Sequence, residues 1–342
     1  MDVQLLCSSQ ENEWDEYVQK SPQGAFCYLI GWKRVVEDVF GHQSCYLVAR
    51  DAKKICGVLP LFYIRRNIFS GPSLISSPFA TYGGILSDHS AATQALFDKA
   101  RELAEKYNVD VMELRNTSPT ELPLIGNDLY QTFIKKLPEQ PDQVLPSLPR
   151  KARAATRNAI KAGFEGKFEN NNLSEFFQLF SENKKALGSP TMPYRFFSRL
   201  YEEFPNQISL YFTRLDGRIV TAVMCFQYQK TFTVYYSGAI QQRFKHNPNN
   251  FMYYHVMQYA AKQGFHYFDF GRSRKNTGAA NFKKNQGFTP QALHYQYYLR
   301  KGKKIPEINP GNKKFHLFQA MWRHLPLKVT QLIGPQLVKY LP

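Results

Sequence analysis

The sequence carries the same pattern of helix and strands twice, and this repeat constrains the fold more than any other feature. Residues 32–63 align without gaps with residues 196–227, at an offset of 164 positions. Each copy reads as a helix, an apolar strand, a charged turn and a second apolar strand. The identical pairs in this block are Phe40/Phe204, Gln43/Gln207, Arg50/Arg214, Ile55/Ile219 and Phe62/Phe226.

A second block extends the repeat toward the end of each copy. Residues 104–115 match residues 261–272 at an offset of 157 positions. In both copies a helix leads into a short strand, which indicates a crossover connection with parallel strand pairing nearby. Two copies of one α/β unit predict two similar domains with a ligand-binding cleft where they meet.

Proline-rich residues 137–149 lie between the two copies and predict a hinge. We therefore place an N-terminal domain at residues 1–149 and a C-terminal domain at 150–302. A basic loop and an amphipathic tail follow at 303–342. Within the first domain, residues 70–86 are rich in glycine, proline and serine and predict a loop.

The charge of the chain favours an anionic partner. Lysine and arginine number 44 against 27 acidic residues, a formal net charge of +17. Nucleic acid, phosphorylated sugar carriers and an acidic membrane face all fit this excess, and scattered surface lysines are the simpler alternative. The five cysteines form no CxxC pair and lie mostly in apolar runs, so we expect reduced thiols, no metal site and a cytoplasmic protein.

One predicted helix is strongly cationic. Residues 150–163 are rich in alanine and end at a glycine, which is typical of a helix with a C-terminal cap. Its cations recur every three or four positions and so share one face. These are Arg150, Arg153, Arg157 and Lys161.

The densest polar cluster follows the last strand of the second copy. Residues 268–278 read Phe-Asp-Phe-Gly-Arg-Ser-Arg-Lys-Asn-Thr-Gly, and Phe282-Lys283-Lys284 follows shortly after, with a glycine at 287. A strand end that opens into a glycine-containing loop and a helix N-terminus can present N–H groups to an anion or an oxyanion. The alternative is a solvated basic loop in which Asp269 pairs with Arg272.

The order strand, DFGRS, Thr-Gly and Phe-Lys-x-x-x-Gly resembles the Fem family of peptidoglycan aminoacyl transferases. It is most similar to the Fem-like proteins associated with exosortase and exopolysaccharide loci. The resemblance spans nearly the whole chain and includes Trp32, the Tyr82-Gly83-Gly84 loop, the Arg153/Arg157 helix and Asn250. It implies an α/β (α+β) fold of two tandem GNAT-like acyltransferase domains. Each domain would contain a mixed, mostly antiparallel sheet flanked by helices.

The resemblance also implies a reaction, the transfer of an acyl or aminoacyl group onto an amine. The acceptor would be a phosphorylated or lipid-linked saccharide or peptide precursor of the cell envelope or of an exopolysaccharide. The family lysine corresponds to Lys283, with an implied role at the carbonyl oxyanion or a donor phosphate. We assign Asp269 to the catalytic set, although pairing with Arg272 is the favoured alternative.

The expected substrate-binding residues come from several segments of both domains. The cations would contact phosphates, and the remaining side chains would contact the sugar or peptide. They are Arg272, Arg153, Arg157, Lys284, Tyr82, Trp32 and Asn250. Tyr82 in a glycine turn has a purely structural alternative.

No permanent cofactor is expected, and the donor is aminoacyl-tRNA or acyl-coenzyme A. A coenzyme A pyrophosphate turn needs glycines for close backbone approach, and residues 243–250 at the matching place contain none. We therefore favour an aminoacyl-tRNA-type donor. An acyl-coenzyme A-dependent N-acyltransferase and a non-catalytic RNA- or polyanion-binding protein are the alternatives.

The C-terminal tail combines aromatic and aliphatic residues with lysines and arginine. We expect it to be helical and broken near Pro326 and Pro335. It would either pack onto the first domain, which we favour, or rest on the inner face of the plasma membrane. The oligomeric state is left open.

Overall fold

A computed structural model of the chain describes residues 1–65, 70–240, 246–300, 302–303, 305 and 313–341. The helices are α1 (Glu11–Lys20), α2 (Ile30–Phe40), α3 (Ser90–Lys106), α4 (Arg150–Lys161), α5 (Leu173–Ala186), α6 (Tyr194–Glu203), α7 (Pro248–Lys262), α8 (Gly278–Asn285), α9 (Lys313–His324) and α10 (Leu327–Val338). The strands up to the middle of the chain are β1 (Asp2–Leu5), β2 (Gln43–Asp51), β3 (Lys54–Ile64), β4 (Ser73–Ser76), β5 (Leu86–Ser87), β6 (Val111–Asn116), β7 (Ile125–Asn127) and β8 (Tyr130–Lys136). The later strands are β9 (Glu165–Phe168), β10 (Ile208–Leu215), β11 (Arg218–Tyr228), β12 (Thr231–Ala239), β13 (Tyr267–Asp269), β14 (Ser273–Arg274), β15 (Pro290–Ala292) and β16 (His294–Leu299).

The chain divides into two compact units. Unit 1 consists of residues 1–130, 292–308 and 339–342, and unit 2 consists of residues 131–291 and 309–338. The sheet of unit 1 has the order β1-β2-β3-β4-β6-β16-β7, with β5 paired to β3. The sheet of unit 2 has the order β14-β8-β13-β12-β11-β10-β9, with β15 paired to β8.

Each sheet is mostly antiparallel and contains one parallel pair in its middle. In unit 1 this pair is β4 and β6, and in unit 2 it is β12 and β13. The chain between the paired strands includes a long helix, α3 or α7, because a parallel pair needs a crossover connection. Two mixed sheets flanked by helices match the fold class that the sequence predicts.

The repeat extends to backbone details of the first hairpin in each unit. The β2–β3 ladder shifts register between Ala49 and Arg50, and the β10–β11 ladder shifts between Thr213 and Arg214, at the same offset of 164. The two turns then place Ala52 and Asp216 at positive φ, 53° and 52°. Such a bulge and turn fix the twist of a hairpin, so both units build it in the same way.

Strand β2 shows how both faces of a sheet are covered. Leu47 belongs to a buried cluster with Leu96 of α3. Its neighbour Tyr46 points to the other face, where its ring lies 4.8 Å from that of Trp14 on α1. Successive side chains of a strand point to opposite faces, so a continuous apolar run is the pattern of a sheet with helices on both sides.

The observed elements differ from the predicted ones in several places. The predicted loop at 70–86 contains β4, whose pairing with β6 completes the parallel crossover. The last predicted strand, β16, pairs with β6 and so belongs to unit 1. Strand β8 joins the sheet of unit 2 beside β13, and residues 131–149 lie with that unit although the predicted boundary follows them.

The C-terminal tail is divided between the two units: α9 and α10 lie in unit 2, whereas residues 339–341 lie in unit 1, where we expected the tail to pack. Helix α10 contacts α5, and a Cβ added at Gly334 would lie 3.0 Å from the amide nitrogen of Thr191. The chain breaks at Pro326 as predicted, but α10 continues through Pro335. Within the ranges given above, no helix has the length and apolar character of a membrane span.

Candidate functional site

The parallel strands β12 and β13 of unit 2 pair over three positions and then separate. Their register runs from Thr231 opposite Tyr267 to Thr233 opposite Asp269, where β13 ends. Strand β12 continues along β11 as far as Ala239. A polar loop therefore starts at Asp269 beside the later part of β12. This loop contains Arg272 and leads to α8, which carries Lys283 and Lys284.

Two side chains fix the start of this loop. The carboxylate of Asp269 is buried, and its Oδ1 accepts a hydrogen bond from the amide of Gly271 at 2.7 Å. The hydroxyl of Thr132 on β8 donates to the same oxygen at 3.3 Å. Gly271 has a φ of 65°, a left-handed conformation that favours glycine. Asp269 thus holds a tight turn directly after β13.

Lys283 lies on α8 and closes the same turn from the other side. Its Nζ donates to the carbonyl oxygens of Phe270, Gly271 and Arg272 at 2.6, 2.9 and 3.2 Å. An ammonium group has three N–H donors, so these contacts use all of them. Helix α8 is fixed in turn by Thr277, whose hydroxyl accepts from the amide of Ala280 at 3.3 Å.

The environment of Lys283 lowers the pKa of its ammonium group. Burial lowers the pKa of its ammonium to about 8, Asp269 opposes this shift and the charge of Arg272 adds to it. The ring of Phe133 lies 5.3 Å from Nζ and forms an apolar wall. The structure therefore brings together three of the predicted site residues, Lys283, Asp269 and Arg272. We call these two cations and one carboxylate the Lys283 cluster.

Lys184 joins this cluster, and we did not predict it. It lies in the last turn of α5, next to Asn183, whose side chain donates to the carbonyl oxygen of Ala239 at 2.9 Å. The half-buried ammonium lies 5.3 Å from the centre of the Phe180 ring and has no hydrogen-bond acceptor among the described residues. Burial lowers its pKa, and the charge of Arg272 lowers it further.

The cationic helix forms as predicted. Helix α4 buries Ala152, Thr156 and Ala159 and leaves most of its cations in solvent. Arg153 donates to the carbonyl oxygen of Pro146 at 3.4 Å, and Arg157 is exposed. Across the described part of the chain, no carboxylate forms an ion pair with either arginine, so the helix presents uncompensated positive charge.

The start of α7 occupies the place where a pyrophosphate turn would be expected. Residues 243–245 of the sequence motif lie outside the described residues. Pro248 at the first helical position has no N–H, and the amide of Asn250 donates to the carbonyl oxygen of Asn247 at 3.0 Å. Neither Pro248 nor Asn250 therefore offers a free amide to an anion. The side chain of Asn250 is 8% exposed and makes no hydrogen bond to the described chain.

The remaining predicted site residues lie elsewhere. Lys284 is exposed on α8. In unit 1, Trp32 is fully buried and its indole N–H donates to the carbonyl oxygen of Pro78 at 3.2 Å, so a ligand contact would require this packing to open. Tyr82 is half-buried and packs on a cluster that contains Tyr295.

Arg115 is the counterpart of Arg272 in unit 1 and is buried. Its Nε donates to Glu113 Oε1 at 2.7 Å, and its Nη1 donates to the carbonyl oxygens of Ser77 and Ala80 at 3.3 and 2.8 Å. The loop that follows β4 therefore folds onto the guanidinium. The equivalent part of unit 1 is filled by its own chain.

No group of three metal-ligating side chains occurs within the described ranges. Lys184 and Thr132 are the site residues that the sequence did not reveal. Lys184 is one of two adjacent lysines near a helix end, a pattern typical of a solvated surface. Only the packing of α5 against β12 brings it within the influence of the charge of Arg272.

Comparison with known proteins agrees with this architecture. Residues 149–284 match the family model described as an acetyltransferase (GNAT) domain. No curated protein matches the chain by sequence. Among solved structures, the crystal structure of FemX is 15% identical with a TM-score of 0.70 and covers 88% of this chain and 98% of its own.

Two further solved structures are similar in fold to this chain. A tandem GNAT protein from the clavulanic acid biosynthesis pathway, solved without AcCoA, is 11% identical with a TM-score of 0.57 and coverages of 87% and 98%. The C-terminal domain of a putative lysylphosphatidylglycerol synthetase from Agrobacterium fabrum is 11% identical with a TM-score of 0.56 and coverages of 85% and 92%. The fold is thus a Fem-like tandem GNAT fold, as predicted.

Proposed function

We propose that this chain is an acyltransferase of the Fem type that forms an amide on a phosphorylated cell-envelope or exopolysaccharide precursor. The observation that carries the proposal is the Lys283 cluster at the parting of β12 and β13. A positive charge, a tight turn and a polar loop meet there at a strand end, which suits a reaction that develops negative charge on a carbonyl oxygen. The resemblance to exosortase-associated Fem-like proteins supports the precursor class.

The proposed reaction is attack of an acceptor amine on the ester or thioester carbonyl of the donor. The C–N bond forms, a tetrahedral oxyanion develops, and the C–O or C–S bond then breaks as the leaving group takes a proton. Lys283 would stabilise the oxyanion by exchanging its longest hydrogen bond, 3.2 Å to the carbonyl oxygen of Arg272, for one to the substrate oxygen. Its other two bonds would keep the ammonium in place.

Asp269 has a positioning role in this scheme. Its Oδ1 already accepts from Gly271 and Thr132, and its negative charge favours the protonated form of Lys283. The carboxylate would therefore keep the turn closed and the lysine charged, without itself removing the proton of the amine. This departs from our assignment of Asp269 to direct catalysis, and Asp269→Asn tests it by its effect on the pH profile.

An aminoacyl-tRNA-type donor is favoured by two features of unit 2. Helix α4 carries five cations on twelve residues and no acidic residue, which suits a nucleic acid backbone. Residues 243–250 contain no glycine, Pro248 has no N–H and the amide of Asn250 is already bonded, which disfavours a coenzyme A pyrophosphate at this place. Arg153 and Arg157 would contact donor phosphates, with Lys284 as a further contact.

Acyl-coenzyme A is the second candidate donor. The match of residues 149–284 to an acetyltransferase domain and the likeness to a tandem GNAT protein favour it. Under this alternative the fold and the Lys283 cluster keep their roles, and only the donor changes. A third candidate, a non-catalytic polyanion-binding protein, is favoured by α4 alone.

A donor assay separates the three candidates. The purified chain is incubated with a bacterial precursor extract and either a charged tRNA pool or acetyl-coenzyme A, and amide products are detected by mass spectrometry. We expect product with charged tRNA, and a loss of about 10- to 1000-fold in Lys283→Ala, as for removal of one oxyanion donor. The matched control is Lys262→Ala, which removes an exposed lysine from the last turn of α7 in the same unit and should lose far less.

The other outcomes have defined meanings. Saturable binding of coenzyme A in calorimetry, with product formed only from acetyl-coenzyme A, would replace the proposed donor by the second candidate. Salt-dependent tRNA binding without product from either donor would support the third. Full turnover in Lys283→Ala would remove Lys283 from the mechanism.

A further inference from the structure

The C-terminal helices expose an unusual share of apolar surface. Fourteen large hydrophobic residues are exposed in the described chain, and six of them lie between residues 317 and 341. They are Leu317, Phe318, Met321, Leu332, Ile333 and Leu341. Two of these, Met321 and Leu332, are 64% and 77% exposed. Isolated exposed hydrophobic residues need no explanation, but such a concentration marks an interaction surface.

Leu317 and Met321 lie away from the face of α9 that packs on unit 2, and Phe318 lies at its edge, with its ring 5.4 Å from that of Trp322. Leu317, Phe318 and Met321 fall within about 100° of one another around the helix axis. Trp322 is 3% exposed, and Gln319 approaches Gly188 at the end of α5. The helix is therefore anchored by one side and shows apolar side chains on another.

Helix α10 repeats this arrangement. Its inner face packs through Thr330, Gly334 and Val338, all of which are buried. Leu332 lies on the opposite side and Ile333 on the flank of the helix, and both remain exposed. Because the inner contacts already hold the helix, the outer face is not needed for the stability of unit 2.

The charge of the same segment has one sign. Residues 313–341 contain five lysines and arginines and no acidic residue. Lys328 is exposed and lies one turn before Leu332, so a long cationic side chain borders the apolar face of α10. A bilayer interface takes up apolar side chains, and its anionic headgroups attract flanking lysines whose methylene stems extend along the boundary.

We propose that the outer face of α9 and α10 docks on the surface of a bilayer that contains anionic lipids. A water-soluble protein partner could also cover the apolar residues. Residues 313–341 contain no carboxylate in 29 positions, however, and this favours a partner whose surface is uniformly negative. The inference concerns a surface on α9 and α10 and does not depend on the proposed reaction.

Vesicle flotation with the full chain tests this inference. Vesicles of phosphatidylcholine alone are compared with vesicles that contain about 30% phosphatidylglycerol, at low and at high salt. We expect the chain to float with the anionic vesicles at low salt and binding to weaken at high salt. The affinity of the double variant Leu332→Glu/Ile333→Glu for anionic vesicles should be at least about tenfold lower. The variant loses apolar contacts with the bilayer and gains two carboxylates that the anionic headgroups repel.

Two controls keep the result interpretable. Ile125→Glu changes an exposed residue of β7 in unit 1 and should leave binding unchanged. Circular dichroism should show that the double variant keeps the native melting temperature. Equal flotation of the double variant and the unchanged chain would overturn the proposal. A dimer in sedimentation velocity that the double variant abolishes, without any vesicle binding, would also overturn it in favour of a second copy.

Discussion

The ammonium nitrogen of Lys283 lies 2.6 Å from the carbonyl oxygen of Phe270, so α8 is joined to the chain directly after β13. The contact gives one residue two tasks. It organises the turn through the backbone, and it places a positive charge at the strand end. A partly buried lysine with a lowered pKa in such a setting is a candidate functional group.

The rate of the proposed reaction should fall as the pH rises through about 8. The pKa of Lys283 is lowered to about 8, so above that pH the neutral amine replaces the ammonium that the oxyanion needs. A pH–rate profile measures this alkaline limb. In Lys283→Arg the charge persists, so the limb should move to higher pH even if the maximal rate is lower. An unchanged limb would assign the titration to another group.

The lowered pKa of Lys283 should make the folded protein more stable as the pH rises, whereas it makes the reaction slower. The pKa is lower in the folded state than in the unfolded chain, so the unfolded state binds more protons between about pH 8 and 10.5. The contribution of Lys283 to the free energy of unfolding should therefore increase with pH across that window. Urea denaturation of the unchanged chain and of Lys283→Met, compared at pH 7.5 and 10, isolates this contribution.

Replacing Lys184 by methionine should stabilise the free protein and weaken anion binding. The ammonium is half-buried, has no acceptor in the described chain and lies near the charge of Arg272. Removing it should raise the free energy of unfolding by about 1 kcal/mol. Inorganic phosphate should raise the melting temperature of the unchanged chain more than that of the variant.

The adjacent lysine supplies the control for this experiment. Lys185→Met removes the same charge from the next position of α5 and should keep the phosphate response. If Lys184→Met is destabilising and responds to phosphate like the unchanged chain, Lys184 has a packing role only.

Replacing Arg115 should lower the free energy of unfolding of unit 1. Its guanidinium is 2% exposed and bonds to Glu113 and to the carbonyl oxygens of Ser77 and Ala80. Arg115→Met removes the donor to the Glu113 carboxylate and to the Ala80 carbonyl, whereas the Ser77 carbonyl keeps the amide of Ala80 at 3.1 Å. We expect a loss of about 3 kcal/mol in urea denaturation. Arg101→Ala removes an exposed pair with Asp98 and should cost less than about 1 kcal/mol. Similar losses in the two variants would contradict the structural role of Arg115.

Charge on α4 should set the salt dependence of polyanion binding. If Arg153 and Arg157 contact phosphates, removing both should reduce the slope of log K against log salt by roughly one for each lost contact. Filter binding of tRNA at several salt concentrations gives the slope. Lys20→Ala on α1 is the control, and the same slope in the arginine variant and this control would exclude α4 as the binding surface.

Much of the fold could be predicted because each copy of the repeat tests the secondary structure that is predicted from the other copy. The hairpins of the two units align at one offset, so a weak pattern in one copy is supported by the other. Strand β4 was wrongly predicted as loop because Gly71 and Pro72 precede it, Ser76 ends it, and Ser77 and Pro78 follow. Its four residues become a strand through pairing with β6, which is a tertiary effect.

The site could be predicted only where its residues are close in sequence. Asp269, Arg272 and Lys283 lie on one segment that carries a family-like motif, and they do come together. Lys184 is distant in sequence, and its importance depends on burial that no local pattern reveals. The roles of Trp32, Tyr82 and Asn250 remain predictions.

Mass spectrometry of phosphorylated envelope precursors and exopolysaccharide tests the central claim most directly. Extracts are compared from the source organism carrying the unchanged chain, Lys283→Ala or the control Arg101→Ala. The account predicts an amide-linked substituent that is present with the unchanged chain and the control and absent or strongly reduced with Lys283→Ala. The same substituents at the same abundance in all three strains would contradict it.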